Sequence, residues 1–415
     1  MYLTVKQQPK HLSKEDYRIL RELCRAAKNL TNQAVYNIRQ QFFSTGRYLS
    51  YAKNYEQLKT SEHYRFLNSN MAQQILREVD GSFQSFFGKL KLAKTGGCAH
   101  GECRLPGYLP KEGFATLIIG FVRTKEDALV IPYSNAYRKS HPPVRISLPP
   151  VLRGKVIKEI RIIPKADARF FEIQYTYEAD CTDRKLNSNH ALALDFGVDN
   201  LITAVSDTGS SFIVDGRRIK SVNQWYNKQN AFLQSVKDKQ GFGKTTNRQA
   251  ALARKRNNRV NDYLSKAARM VTDYCIANDI GILVAGYSPD FQRYSSTGKR
   301  NNQTFVNIPF GKLLKKLGYL CGLNGIRFVV QEESYTSKAS FFDRDPMPVY
   351  GQPDAEAHAF SGRRIRRGLY RTGAGKTLNA DVNGALNILR KSNVVSLKGL
   401  YHRGEVDTPV RIRIA

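Results

Sequence analysis

Two periods of hydrophobic spacing divide the chain. After a short strand pattern, YLTVKQ, Ser13 stands ahead of Glu15 and Asp16 and of apolar positions at Tyr17, Leu20, Leu23, Cys24 and Ala27, which is the spacing of one helix face. A serine oxygen there can take free N–H groups of the first turn, so a helix is predicted from Ser13 to about Phe43. A second helical pattern covers about 70 to 94 through Ile75, Val79, Phe83, Phe86, Phe87 and Leu90, and stops at the Gly-rich KTGGCAHGEC. The aromatics of this lobe read as core.

From about 105 to 180 the pattern shortens to β-rich runs, ATLIIGFV, ALVIP, VRISLP, EIRIIP and FFEIQYTYE, separated by Pro, Gly and charged turns. Residues 1–11 and 105–185 are expected to form a barrel-like β-domain, with 12–104 a helical lobe inserted into it.

The remainder mixes the two periods. Strand-like runs at 191–196, 201–206 and 211–214 predict an antiparallel meander. A long polar, helix-favouring stretch (about 221–278), the apolar strand GILVAG at 281–286, an amphipathic helix PFGKLLKKLGYLCGL, the strand IRFVVQE at 326–332 and a last helix around LNADVNGALNILRK follow. The order βββ-α-β-α-β-α is that of an α/β RNase H-like fold, a mixed sheet covered by helices, over 190–392.

Within these patterns three acids stand where apolar residues are expected. Asp381 shares a helix face with Ala385, Ile388 and Leu389, whereas Asn383, Asn387, Arg390 and Lys391 fall on the opposite side. Asp195 lies inside the first strand of the meander, with small neighbours Ala191 and Ala193 on its face. Glu333 follows the fifth strand directly, and Glu332 is the alternative if the register differs by one. Ligands of α/β sheets gather at the carboxyl ends of strands, and carboxylates brought together there need a cation. Two divalent ions about 3.5–4 Å apart would satisfy them and activate water for phosphodiester cleavage; oxygen donors suit Mg²⁺ or Mn²⁺. Asp195, Glu333 and Asp381 are the candidate catalytic and metal-binding residues, and whether Asp199 or Asp345 joins them is left open.

Composition supplies a partner. Of 415 residues, 66 are Lys or Arg and 35 Asp or Glu, a net charge of +31, and an excess that large, spread along the chain, normally serves a polyanion. No apolar run is long enough to span a membrane and the start lacks a signal-peptide pattern, so the expectation is a cytoplasmic protein without membrane contact. The six cysteines are expected as reduced thiols; Cys98, His100 and Cys103 lack the further ligands a zinc site needs.

LALDFGVDNLITAVSDTG resembles the first RuvC segment of the TnpB (OrfB) proteins of bacterial transposons, and LNADVNGALNILRK their third. NNQTFVNIPFGKL and ESYTSK resemble the same family, over roughly 190 to 392. The resemblance implies a RuvC-type RNA-guided DNA endonuclease related to type V CRISPR effectors. Its partners would be a guide RNA from the transposon end and a duplex DNA target beside a short adjacent motif, acting as a monomer with its RNA and meeting the nucleoid when bound to its target. The β-domain would correspond to a wedge domain holding the RNA, and the helical lobe to a recognition lobe gripping guide and target.

Two departures stand out. The family's middle glutamate follows the fourth strand, where this chain reads ILVAGYSPDF with Gly286 and Tyr287 in place of acids. A rearranged site using Glu333, which starts about 10 Å from Asp195 across two strand spacings, is one reading; a nuclease-inactive, RNA-guided DNA-binding repressor is the alternative, and an RNA-independent transposase a weaker third. The second departure is the family's zinc ribbon: 339–377 contains no cysteine, so no zinc is expected. FSGRRIRRGLYRT instead supplies Arg363, Arg364, Arg366, Arg367 and Arg371 around Tyr370, a pattern suited to nucleic-acid contact. Arg254, Lys255, Arg256 and Arg259 form a second basic run, either a solvated helix face or a track for the heteroduplex. For the tail, 393–415, no mechanism is apparent.

Overall fold

The computed structural model describes all residues except 123, 126, 289–306, 350–357, 404, 405, 407 and 415. Part of the NNQTFVNIPFGKL segment therefore lies outside the described residues. The chain forms two compact units, Met1–Ala179 and Asp180–Ala415.

In the first unit, β1 (Tyr2–Gln7) leads into α1 (Lys14–Thr45), whose N-terminus carries the capping box anticipated at Ser13: the Ser13 hydroxyl takes the Asp16 N–H and the Asp16 carboxylate takes the Ser13 N–H. The helix ends at Gly46, held at φ 68°, a conformation that costs glycine little. Two short helices, α2 (Tyr51–Leu58) and α3 (Glu62–Phe66), precede α4 (Ser69–Lys94). Next come β2 (Leu117–Ile119), β3 (Thr124–Lys125), β4 (Ala128–Val130), α5 (Asn135–Ser140), β5 (Arg145–Ser147), β6 (Ile157–Lys165) and β7 (Phe170–Glu178).

β1 returns across the helices to pair antiparallel with β7, Tyr2 opposite Glu178, so α1 to α4 sit between the first strand and the rest of its sheet. The sheet order is β1-β7-β6-β2, and β3-β4-β5 form a second sheet. Among the described residues the strands of the expected barrel-like domain form these two sheets, with no ladder joining β2 to β3. Helices and strands share one core: Leu20, Leu23, Ile75 and Phe83 lie in the same buried cluster as Ile160, Phe171 and Tyr175.

The second unit carries β8 (Ala191–Phe196), β9 (Asn200–Ser206), β10 (Ser211–Asp215), α6 (Arg217–Lys239), α7 (Asn247–Ala277), β11 (Ile282–Gly286), α8 (Phe310–Asn324), β12 (Arg327–Gln331), β13 (Arg363–Arg366), β14 (Leu369–Arg371), β15 (Thr377–Asn379), α9 (Ala380–Ser392), α10 (Lys398–Arg403) and β16 (Val410–Ile412). The long polar stretch is two helices because Gly241, at φ 63°, breaks it and Thr246 with Gln249 starts α7 afresh with a capping box.

The main sheet runs β12-β11-β8-β9-β10-β16. β8, β11 and β12 are parallel, while the meander β8-β9-β10 is antiparallel. Both faces of β8 are covered, which is why its sequence is a continuous apolar run rather than an alternation. Leu192, Leu194 and Phe196 pack with α7 and α8, whereas Ala191 and Ala193 pack with Ala385, Ile388 and Leu389 of α9. The small alanines let the last helix lie close on that face.

Candidate active site

Because β8, β11 and β12 run parallel, their carboxyl ends coincide. Asp195 is the next-to-last residue of β8; Leu194 pairs with Ala285 and Gly286 with Gln331, so Glu333 follows two positions past that register. The helix that crosses this end is α9. Asn379 caps it, accepting from the N–H groups of Asp381 (2.9 Å) and Val382 (3.2 Å), and so fixes Asp381 in the first turn. Three residues on, a Cβ added to Gly384 would stand 3.1 Å from Asp195 Oδ2. The helix backbone thus passes directly over the Asp195 carboxylate, with Asp381 on the same side.

Asp195 feels the other two acids. The Asp195 carboxyl is raised well above the ordinary aspartate range, first by burial and then by the charges of Asp381 and Glu333, with Arg364 opposing. Glu333 is pushed up to about 7, by burial first and Glu332 next, against Lys391 and the Ser288 N–H. Its Oε1 is buried without a hydrogen-bond partner. Its Oε2 would lie 3.2 Å from a Cβ built on Gly286. Such a Cβ would meet Ile388 Cδ1 first, at 2.3 Å, so Ile388 takes most of that space and Glu333 lies beside it.

Among the described residues no three His, Cys, Asp or Glu side chains form a group that could hold a metal ion. The positive charge at this end of the sheet comes from Arg364 of β13, whose Nη2 lies 2.9 Å from Asp381 Oδ1. The other Asp381 oxygen accepts from Asn200 Nδ2 at 2.6 Å. The donor set is nonetheless the one a hard divalent cation takes: carboxylate oxygens only, one of them buried and unsatisfied, on acids whose mutual repulsion a cation would relieve.

Other acids are engaged elsewhere. Glu332 bonds Lys391 Nζ (2.5 Å) and the Ser334 N–H (2.6 Å); burial opposes ionisation, but these partners hold its carboxyl below the usual range. Asp199 is likewise held low against its burial by Lys220 at 2.7 Å and by Arg367. Asp345 accepts from Ser340 N–H (2.8 Å) and from Ser361 Oγ (2.6 Å), anchoring the insert, and Asp343 takes the Gly373 N–H. Asp345 therefore has a structural role and does not join the carboxylates.

The basic candidates divide. Arg363, Arg364, Arg366, Arg367 and Arg371 are exposed on a small antiparallel sheet, β13-β14-β15. Tyr370 is not among its exposed residues: it is 1% exposed and its hydroxyl donates to Lys338 O at 2.8 Å, so it is core and not a stacking platform. On α7, Arg254, Lys255 and Arg259 are exposed, Lys255 lying over the Trp225 ring. Arg256 differs: Nε bonds Asn223 Oδ1 and Nη2 bonds Asn307 O, both at 2.7 Å, which makes it a tie to α6 rather than a free cation.

The asparagines on the opposite side of α9 are not in water. Asn383 and Asn387 are fully buried. Asn383 takes the Phe341 N–H and donates to Ala339 O, and Asn387 donates to Thr336 O and Ala339 O, all between 2.7 and 3.1 Å. The second face of α9 is thus covered by the 336–341 segment, through backbone bonds that no hydrophobic period could signal.

Residues 172–291 match the family model OrfB_IS605, described as a probable transposase, and residues 310–388 match the model described as Cas12f1-like, TNB domain. Among solved structures the chain is similar to that of a Cas12f1-sgRNA-target DNA complex, at 15% identity and a TM-score of 0.55, covering 91% of this chain and 83% of that one. A second, the mini-RNA-guided endonuclease CRISPR-Cas_phi3, aligns at 10% identity and a TM-score of 0.45, covering 99% and 94%. No curated protein matched the sequence. The chain thus carries OrfB and Cas12f1-like segments and shares the fold of a type V effector.

Proposed function

We propose that this chain, a relative of the transposon-encoded OrfB proteins and of the Cas12 effectors, is a metal-dependent RNA-guided DNA endonuclease with a rearranged RuvC site. What supports the reading is that the buried Asp195 carboxyl, at the carboxyl end of β8, feels the charges of Asp381 and Glu333, with Glu333 beside Gly286. Bound there, Mg²⁺ or Mn²⁺ would supply an activated water and charge stabilisation for phosphodiester hydrolysis. Burial and neighbouring charge raise the Asp195 and Glu333 carboxyls, a penalty a cation would relieve; Asn200 holds Asp381, Arg364 would yield its Asp381 oxygen to the ion, and Lys391 pairs with Glu332.

The net charge of +31 and the exposed arginines of β13 and β14 suit a guide RNA and a displaced duplex, whose backbone is read as charge and shape. The wedge-like role of the first unit's strands, the recognition role of its helices, and action as a monomer with an RNA from the transposon end belong to this proposal too.

One observation favours a second reading. The side chains as they stand do not close round an ion and Arg364 neutralises Asp381, as would suit a guided DNA binder that does not cut. Protein purified with its RNA decides between them. Cutting of a matched duplex in Mg²⁺, abolished by Asp195→Ala with binding retained, supports the nuclease. Guided binding without cutting in the unmutated chain overturns it in favour of the binder.

A further inference from the structure

The tail, for which the sequence offered no role, reaches the carboxylates through two side chains. Asn200, at the start of β9, donates from Nδ2 to Asp381 Oδ2 at 2.6 Å, and its Oδ1 accepts from Arg411 Nη2 at 2.7 Å. The other terminal nitrogen of Arg411 bonds Asp215 Oδ1 at 2.9 Å, and Asp215 is 8% exposed. Arg411 is the middle residue of β16, which adds to the sheet parallel to β10 with Arg411 opposite Ile213. Further along, Arg218 Nη1 holds Ile414 O at 2.9 Å.

Donor and acceptor chemistry leaves the Asn200 amide one orientation. A guanidinium only donates and an ionised carboxylate only accepts, so the amide must turn its oxygen to Arg411 and its nitrogen to Asp381. Without Arg411 the amide would keep its bond to Asp381, but its oxygen would lose the partner that anchors the side chain to the tail strand.

We propose that the C-terminal strand is a positioning element of the active site: Arg411, itself held by Asp215, fixes Asn200, and Asn200 orients Asp381 toward the cation. The relay rests on the reading of Asp381 as a metal ligand. Arg411 and Asn200 are positioning residues, and neither need touch nucleic acid.

The test is Mn²⁺ binding to the full chain with its RNA, followed by electron paramagnetic resonance or calorimetry, beside thermal unfolding. Arg411→Ala and Asn200→Ala should each weaken Mn²⁺ by about tenfold, the lower end of what losing a partner behind a metal ligand costs. Arg411→Lys, which keeps a donor, should recover part of it, and the double Ala variant should be no weaker than either single one. Unchanged Mn²⁺ affinity in Arg411→Ala, or additive losses in the double variant, overturns the relay. Should Arg411→Ala fail to fold, Asn200→Ala carries the test with the same expectation and the same reversal. A native chain whose Mn²⁺ binding is insensitive to Asp381→Asn overturns both the relay and the metal-site reading; sensitivity to Asp381→Asn with none to Arg411→Ala overturns the relay alone.

Discussion

Glu333 Oε2 lies beside Gly286: a Cβ on that glycine would stand 3.2 Å from it, after meeting Ile388 Cδ1 at 2.3 Å. On the proposed reading, the acid after the fifth strand serves where Gly286 leaves the fourth strand without one. Glu333→Gln should reduce single-turnover cutting as far as Asp381→Asn does, by more than about a hundredfold, since a ligand matters more than the groups behind it. Glu332→Gln should leave cutting nearly intact, because Glu332 is engaged with Lys391 and the Ser334 N–H rather than with Asp195 or Asp381. If the two glutamates exchange behaviour, the swap described here is wrong.

The raised Glu333 carboxyl sets a pH dependence. A glutamate in the unfolded chain ionises near about 4.3, whereas in the fold it holds its proton up to about 7. Between those values the folded chain binds more protons than the unfolded one, so stability falls as pH rises through this window and levels off above it. The loss from this group is on the order of 3 kcal/mol. Chemical denaturation in chelator at intervals from about pH 4.5 to about pH 8 should show the decline, and Glu333→Gln should lessen it, leaving the part that the raised Asp195 carboxyl contributes. Magnesium should restore more stability at the alkaline end, where the ion has no proton to displace.

Arg364 and a divalent cation compete for Asp381. The ion pair at 2.9 Å is half-exposed on its arginine side, so it contributes little net stability, yet it must yield if metal takes the same oxygen. Arg364→Ala should therefore tighten Mn²⁺ binding, by roughly two- to tenfold for a competing interaction of about 0.5–1.4 kcal/mol. Calorimetry at constant salt reads this directly. Weaker binding in the variant would mean that Arg364 supports the site rather than occupying it.

How much of this was legible in the sequence follows from what each element is made of. The five central strands and their order could be read because burial on both faces writes continuous apolar runs, and α9 because Ala385, Ile388 and Leu389 repeat at helical spacing. Asp195 and Asp381 showed as charges inside those runs. The burial of Asn383 and Asn387 is not legible, since an asparagine bonding backbone carbonyls looks the same in sequence as one in water. Tyr370 was misread for the same reason: flanking arginines pointed outward while the alternation of β14 turned the ring inward. The tail strand left almost no trace, because three residues cannot establish a period; Arg411 becomes meaningful only once its distance to Asn200 is known.

Tyr370 and its neighbours offer the sharpest separation of structural from nucleic-acid roles. Removing the buried ring in Tyr370→Ala should cost about 3–5 kcal/mol, and removing only the hydroxyl that bonds Lys338 O about 1 kcal/mol. Tyr370→Phe should leave RNA and DNA affinity unchanged, because the ring cannot reach a base. Arg363→Ala, Arg366→Ala and Arg371→Ala change exposed side chains, so each should be stable and should lower the salt dependence of nucleic-acid binding by about one released counterion wherever the side chain meets a phosphate. On α7 the same contrast separates Arg259→Ala, a loss of salt dependence, from Arg256→Ala, a loss of about 2 kcal/mol of stability through its bonds to Asn223 and Asn307. Denaturation curves and binding isotherms at several salt concentrations measure both sides; a salt slope lowered by Tyr370→Phe would return that ring to the nucleic-acid surface.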